Sequence, residues 1–357
     1  ASLLLIPVYF LSHPATGQVA RDFVLPQLPG GSGQLSVVML LIIGIVGTTV
    51  APWQLFFQQS YVIDKRITPR FIRYEKADLW IGIATVVVGG GALMGACAAA
   101  FAGTRGFGHF TDAGGLAVGL QAYAGRAVGV LFAIALLDAS IIGAFAVSLS
   151  TAYAIGDVFG LKHSLHRGVR GAKGFYAVYA GLVAASAVIV LIPGSPLGLL
   201  TEGVQVLAGV LLPSATVFLL LLCNDREVLG PWVNGRKTNM FTSTVIGVLV
   251  ALSVILTASV LFPSIGPRQI LFILAGCGAA AILAVGYLVA RRIRARVSAA
   301  APVDRTGRES WRMPPLALLK RPAMSAGRRV GMSALRLYLL IAMVLVVVRI
   351  AELALAH

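Results

Sequence analysis

The sequence predicts an all-α polytopic membrane protein, and three observations carry that prediction. Of 357 residues, 58% are apolar and 12% are charged, where a soluble domain averages roughly 45–50% and about 25%. The apolar residues gather in runs of about 20 without strict alternation, the length a helix needs to cross roughly 30 Å of hydrocarbon. The positive charges, finally, alternate from loop to loop. Lipid offers no partner to backbone N–H and C=O groups, so only helices and closed barrels can span it, and runs of this kind select helices. A soluble fold is excluded.

The apolar segments lie at about 1–12, 36–62, 77–102, 118–158, 175–193, 198–223, 241–262, 269–290 and 335–356. Short loops containing Gly, Pro and charge separate them. The first, Ser2 to Leu11, lacks the basic flank and cleavage site of a signal peptide and is expected to be a helix whose beginning is missing from a fragment. The fourth is too long for one straight crossing, so it should include an interfacial entry or run past the bilayer. Gly89, Gly90 and Gly91, inside the third, should allow close helix packing. They are not a phosphate loop, because no Lys-Ser or Lys-Thr follows them. Cys97, Cys223 and Cys277 sit in or at the end of apolar runs without C-x-x-C spacing, which indicates neither a disulfide framework nor a zinc site.

The net charge of +16 follows topology. Lys65, Arg66, Arg70, Arg73 and Lys76 come after the second segment, Lys162, Arg167, Arg170 and Lys173 after the fourth, and Arg226, Arg236 and Lys237 after the sixth. The intervening loops hold little beyond Arg21, Arg105 and Arg268, with Arg126 just inside a helix start. By the positive-inside rule this is a multi-pass protein of the inner (plasma) membrane, with residues 13–35 outside and 63–76 inside. The charge has no aromatic interleaving, and nucleic acid is not an expected partner. The basic stretch Arg291 to Arg329 lies inside again and has few large apolar residues, so no compact core is expected there. It serves either as a contact for anionic lipid, in addition to the surrounding membrane lipids, or as a topology signal alone.

The informative segment runs from Gly44 to Ser60. Pro52, in the middle of a spanning run, removes a helical hydrogen bond and clashes with the preceding turn, so the helix should break there. Carbonyls freed around Thr48 and Thr49 persist in a membrane only where they line a cavity or bind something. Broken helices of this kind coordinate cations near the midplane of many secondary transporters; a proline kink satisfied by threonine hydroxyls is the other reading. Asp138, at mid-membrane, is expected either on the ion or water pathway or in a hydrogen bond to a neighbouring helix. Glu202 should lie near the outer surface, and Arg349 and Glu352, three residues apart, can pair on one helix face. His109 and Asp112 are too few for a metal site, and His163 and His166 read as a solvated basic face. No Ser/His, Cys/His or paired-carboxylate constellation appears at a spacing suited to catalysis, so an enzyme is not expected.

The run Gly47-Thr-Thr-Val-Ala-Pro-Trp-Gln-Leu-Phe-Phe-Gln-Gln-Ser60 resembles the sixth transmembrane helix of NRAMP divalent metal transporters, G-x-T-x-M-P-H-N-L-x-x-H-S. Asp64-Lys65-Arg66 and the basic loop after it fit as well. Val204-Gln205 through Leu212-Pro213-Ser214-Ala215 is similar to the family's tenth helix, S-Q-x-x-x-x-x-x-x-P-F-A, and residues 224–239 to the loop after it. Counted from these anchors, residues 1–290 form the transporter domain, from the end of helix five through helix twelve. Residues 291–334 are then a basic cytoplasmic linker, and 335–357 an additional transmembrane segment.

The resemblance implies a leucine-transporter-like (NRAMP) fold with its N-terminal helices missing, in which helices one and six unwind around a dehydrated divalent ion. That ion is the substrate; no cofactor is implied. The family's D-P-G-N motif of helix one does not occur in this chain, so half of the site is absent here. On the helix-six side the ligating carbonyl maps to Thr48 and the ligating methionine to Ala51, while the polar residue of helix ten maps to Gln205. Pro52, Trp53, Gln54, Gln58 and Asp138 are the positions expected along the transport pathway. Losing the thioether at Ala51 should weaken discrimination against hard ions, since soft sulfur favours late transition metals and oxygen suits Mg²⁺ and Mn²⁺. Within the Mn²⁺, Fe²⁺ and Mg²⁺ class, that favours Mg²⁺ or Mn²⁺ and is similar to the NRAMP-related magnesium branch. The motif's two histidines correspond to Trp53 and Gln58, neither of which titrates near neutral pH, which puts proton coupling in doubt. The competing expectation is a non-transporting degenerate homologue or a membrane scaffold.

Overall fold

The computed structural model describes residues 2–25, 41–42, 44–49, 51–104, 112–261, 267–295, 307–308, 310–315, 318 and 326–355. Among them every regular element is helical. Five helices are long and apolar enough to cross a membrane: Pro69–Phe101, Arg126–Phe159, Lys173–Leu191, Leu197–Cys223 and Arg236–Ile255. The first of them carries exposed Leu79, Trp80, Ile81, Val86 and Val87, an apolar surface that water would not tolerate and lipid matches. The protein is therefore a multi-pass membrane protein. The chain divides into two compact units, Ala1–Gln27 with Trp53–Thr201, and Leu28–Pro52 with Glu202–His357.

The first unit opens with a 3-10 turn, Ser2–Leu4, and α1 (Leu5–Leu11), followed by α2 (Thr16–Val24). It continues through most of α3 (Pro52–Asp64), α4 (Ile72–Phe101), α5 (Ala113–Ala124), α6 (Arg126–Phe159) and α7 (Lys173–Leu191). Its core joins Val8, Ala96, Ala100, Leu120, Val128 and Phe132, mostly small side chains that let helix backbones approach. The close contact on α4 is at Gly95, whose Cβ would stand 2.5 Å from the Tyr9 ring. Gly90 and Gly91, expected to pack closely, have nothing within 4 Å at that position. The reason is facing: α1 covers α4 one turn later.

The long run 118–158 resolves into two helices. Asp112 caps α5 by accepting from the Gly115 amide at 2.7 Å, and α5 ends where Gly125 turns the chain at φ 92°. A side chain is strained in that region and glycine is not. The 34 residues of α6 extend about 51 Å at 1.5 Å each, well past the hydrocarbon. His109 lies outside the described residues.

The second unit contains helical residues 41–42 and 44–49, α8 (Leu197–Cys223) from Glu202 onward, α9 (Arg236–Leu261), α10 (Pro267–Ala295) and α11 (Ala326–Leu355). Ile255 and Ile270 pack with Ile42, Ala258 and Ile273. Asn224 and Asn239 exchange side-chain amide hydrogen bonds across the α8–α9 connection, and the Ser253 and Tyr338 hydroxyls bond α9 to α11. Part of the basic stretch is held in place. Trp232 Nε1 donates to the Arg308 carbonyl at 2.9 Å, Arg308 Nε donates to the Pro231 carbonyl at 3.1 Å, and the guanidinium lies 4.9 Å from the Trp232 ring. These contacts tie Arg308 to the turn Gly230–Trp232. Arg349 and Glu352 belong to α11, and their side chains lie outside the described residues.

Candidate functional site

The second apolar segment is not one continuous helix. Residues 44–49 are helical, Ala51 is not, and α3 begins at Pro52; Val50 lies outside the described residues. Proline suits a first helical position, where its missing N–H has no partner to lose. The cost falls one turn earlier. In an α-helix residue 52 would donate to the carbonyl of residue 48, and Pro52 has no N–H, so the Thr48 carbonyl loses its amide donor. The threonine hydroxyls do not replace it. Thr48 Oγ1 donates back to the Gly44 carbonyl and Thr49 Oγ1 to the Ile45 carbonyl, both at 2.8 Å.

The first half of the broken helix packs within the second unit. Gly47 is buried, and a Cβ there would overlap the Gln205 carbonyl oxygen and lie 2.5 Å from the Gly209 nitrogen. Backbone meets backbone, which brings Thr48 next to the turn of α8 that carries Gln205. Thr48 is exposed and Gln205 half-buried, while Ala51 is 4% exposed. Among the described residues no three His, Cys, Asp or Glu side chains gather to hold a metal. The oxygens this region offers are backbone carbonyls and the Gln205 amide, hard donors suited to hard cations.

The second half belongs to the first unit and runs alongside α6. Ser150 Oγ donates to the Trp53 carbonyl at 3.0 Å, and seven residues on, Ser60 Oγ donates to Asp157 Oδ2 at 3.2 Å. Trp53 and Gln54 are half-buried and Gln58 is exposed. Asp138 occupies an exposed position on α6, about 18 Å along the axis from Ser150 at 1.5 Å per residue. The structure thus brings Gly47, the neighbour of Thr48, against Gln205, while Asp138 lies about 18 Å along α6 from the serine that meets Trp53.

One cluster has little forewarning in the sequence. Asp64, the last residue of α3, accepts from Tyr153 Oη at 2.6 Å, Ser164 Oγ at 2.5 Å and the Leu165 amide at 2.9 Å. His166 Nε2 lies 3.0 Å from the Asp64 carbonyl oxygen, and His163 Nε2 pairs with Asp157 at 3.1 Å. Burial pushes the Asp64 carboxyl up, but the bonds from Ser164, Tyr153 and Leu165, with His166 nearby, outweigh it and hold the group below its ordinary value. Tyr153 is 1% exposed and packs on Phe175 and Phe57. His163 and His166, expected on a solvated face, are half-buried and exposed respectively and also bond within this cluster. Their positive neighbours in the sequence concealed the two acids they meet, which come from 64 and 157. The only signal available was Asp64 itself, an acid opening a basic loop.

Residues 1–259 match the model of the Nramp family, described as natural resistance-associated macrophage protein-like. No curated protein matches the chain.

Proposed function

The chain belongs to the Nramp family of divalent metal transporters, and from that premise we propose that it carries a hard divalent cation, Mg²⁺ or Mn²⁺, across the inner (plasma) membrane by alternating access. The observation that supports this reading is the Thr48 carbonyl, stripped of its amide donor by Pro52 and set beside the Gln205 turn of α8. Thr48 and Gln205 are the proposed ligands on this side of the ion. Ala51 supplies no donor atom, which leaves room for water; Mg²⁺ dehydrates reluctantly and keeps several waters. Iron, the softer member of the class, is less favoured without a thioether.

Each half of the broken helix is anchored in a different compact unit, the boundary falling between Pro52 and Trp53. The interruption of the helix at Ala51 is the proposed hinge of the cycle. Trp53 and Gln58 carry no titratable proton near neutral pH, so transport is proposed to proceed without a fixed proton ratio, Asp138 being the one remaining carrier along the proposed pathway.

The test is competition uptake into proteoliposomes holding a pH-sensitive dye. Ala51→Met is expected to shift preference from Mg²⁺ towards Mn²⁺ and Cd²⁺, because it adds a soft ligand. The dye should report no metal-dependent acidification at a fixed ratio. Unchanged selectivity would remove position 51 from the ion, a fixed ratio lost in Asp138→Asn would name Asp138 as the carrier, and no uptake at all would return the non-transporting reading.

A further inference from the structure

A second proline removes a second helical hydrogen bond at the same contact. Pro213 lies inside α8, and the carbonyl it would otherwise engage is that of Gly209. Gly209 is the residue that Gly47 touches. A Cβ on Gly47 would stand 2.5 Å from its nitrogen and 2.9 Å from its Cα. The hydroxyls that follow the proline are committed elsewhere: Ser214 Oγ donates to the Leu211 carbonyl at 2.7 Å, and Thr216 Oγ1 to those of Leu212 and Pro213 at 3.0 and 2.9 Å.

A Cβ on Gly44 would stand 3.9 Å from Val206 Cγ2, and one on Gly47, three residues on, would meet the backbone of both Gln205 and Gly209. Thr48 follows Gly47 on one helix, and the Gly209 carbonyl belongs to the other. All of this lies in one compact unit. A freed carbonyl at membrane depth is costly unless something engages it.

We propose that the Gly209 carbonyl oxygen is a second backbone ligand of the transported cation, presented by Pro213 as the Thr48 carbonyl is presented by Pro52. This rests on the transport reading above and extends it. Two hard carbonyl oxygens then do part of the work that a thioether at position 51 would do, and they do it with an oxygen preference. Gly47 acquires a role as well, because its missing side chain sets the spacing between the two freed carbonyls.

The experiment is Mn²⁺ titration of the purified protein, followed by electron paramagnetic resonance. Pro213→Ala supplies an N–H to the Gly209 carbonyl and restores a regular helix, so it should fold. Its Mn²⁺ affinity is expected to fall about tenfold, the scale of one hydrogen-bond-strength contact to a charged group. Pro213→lactate, introduced as a backbone ester, has no N–H and frees the carbonyl again; affinity should return to near the wild-type value. An unchanged affinity in Pro213→Ala overturns the proposal, as does a Pro213→lactate variant as weak as Pro213→Ala, which would trace the loss to helix shape. Wild-type protein that binds no Mn²⁺ would instead sink the transport reading, and this proposal with it.

Discussion

At Asp64 three donors converge on one carboxylate at the end of a half-helix, and the consequence for stability has a definite sign. The folded-state group is held below its ordinary value. Its contribution is therefore fully present above the unfolded carboxylate value and is lost as pH falls through the lowered one. Asp64→Asn removes the charge and keeps the shape. At about pH 7 it should cost about 1–2 kcal/mol, since a hydrogen bond to a charged group is worth roughly that much and the site is only partly buried. Thermal unfolding checks this: the gap in Tm between wild type and Asp64→Asn should close as pH falls through the lowered value of the Asp64 carboxyl, where both side chains become uncharged. A gap that persists unchanged into acid would mean that the carboxylate charge contributes nothing.

Among helices, small residues matter only where another backbone arrives. Gly47 and Gly90 both sit in apolar helical runs, yet their surroundings differ. A Cβ on Gly47 meets backbone atoms of Gln205 and Gly209, which cannot swing aside, whereas one on Gly90 meets nothing within 4 Å. Gly47→Ala should therefore destabilise by about 1–3 kcal/mol, the usual cost of overpacking. Gly90→Ala should be neutral or stabilising by up to about 1 kcal/mol from helix propensity. Thermal unfolding of the two variants in one detergent decides it, and equal Tm values would remove the close contact at Gly47. The same logic separates Gly89, which is buried, from Gly90 and Gly91, where a Cβ would meet nothing within 4 Å: composition shows where close approach is possible, and the facing helix decides where it occurs.

At the scale of the whole molecule, loop charge orients the chain across the membrane. The positive-inside pattern places Lys162 on the cytoplasmic side and Ser195 on the opposite side. In cells, an impermeant thiol reagent should label Ser195→Cys directly and Lys162→Cys only after permeabilisation. Cys97, Cys223 and Cys277 are half-buried, and wild type supplies their background. Direct labelling of Lys162→Cys would invert the topology. The basic stretch after α10 also belongs to this scale, because Arg308 and Trp311 are seated on the turn Gly230–Trp232.

The sequence by itself determined the membrane class, most of the long apolar helices, the break at Pro52 and the family, because each depends on local chemistry; the helix Thr16–Val24 and the division of 118–158 at Gly125 it did not. Apolar length sets a span, a missing N–H breaks a helix, and a motif is contiguous by definition. It also determined that position 51 carries no sulfur. Tertiary structure alone decided that Gly47 meets Gly209, that Asp64 is reached by residues 89, 100 and 101 positions away, and that Arg308 and Trp311 pack on the turn Gly230–Trp232. Those facts depend on which surfaces face each other after packing, and no local pattern encodes the partner. The prolines at 52 and 213 were both visible in the chain; only the helix contact brings Gly47, beside Thr48, against the backbone of Gln205 and Gly209.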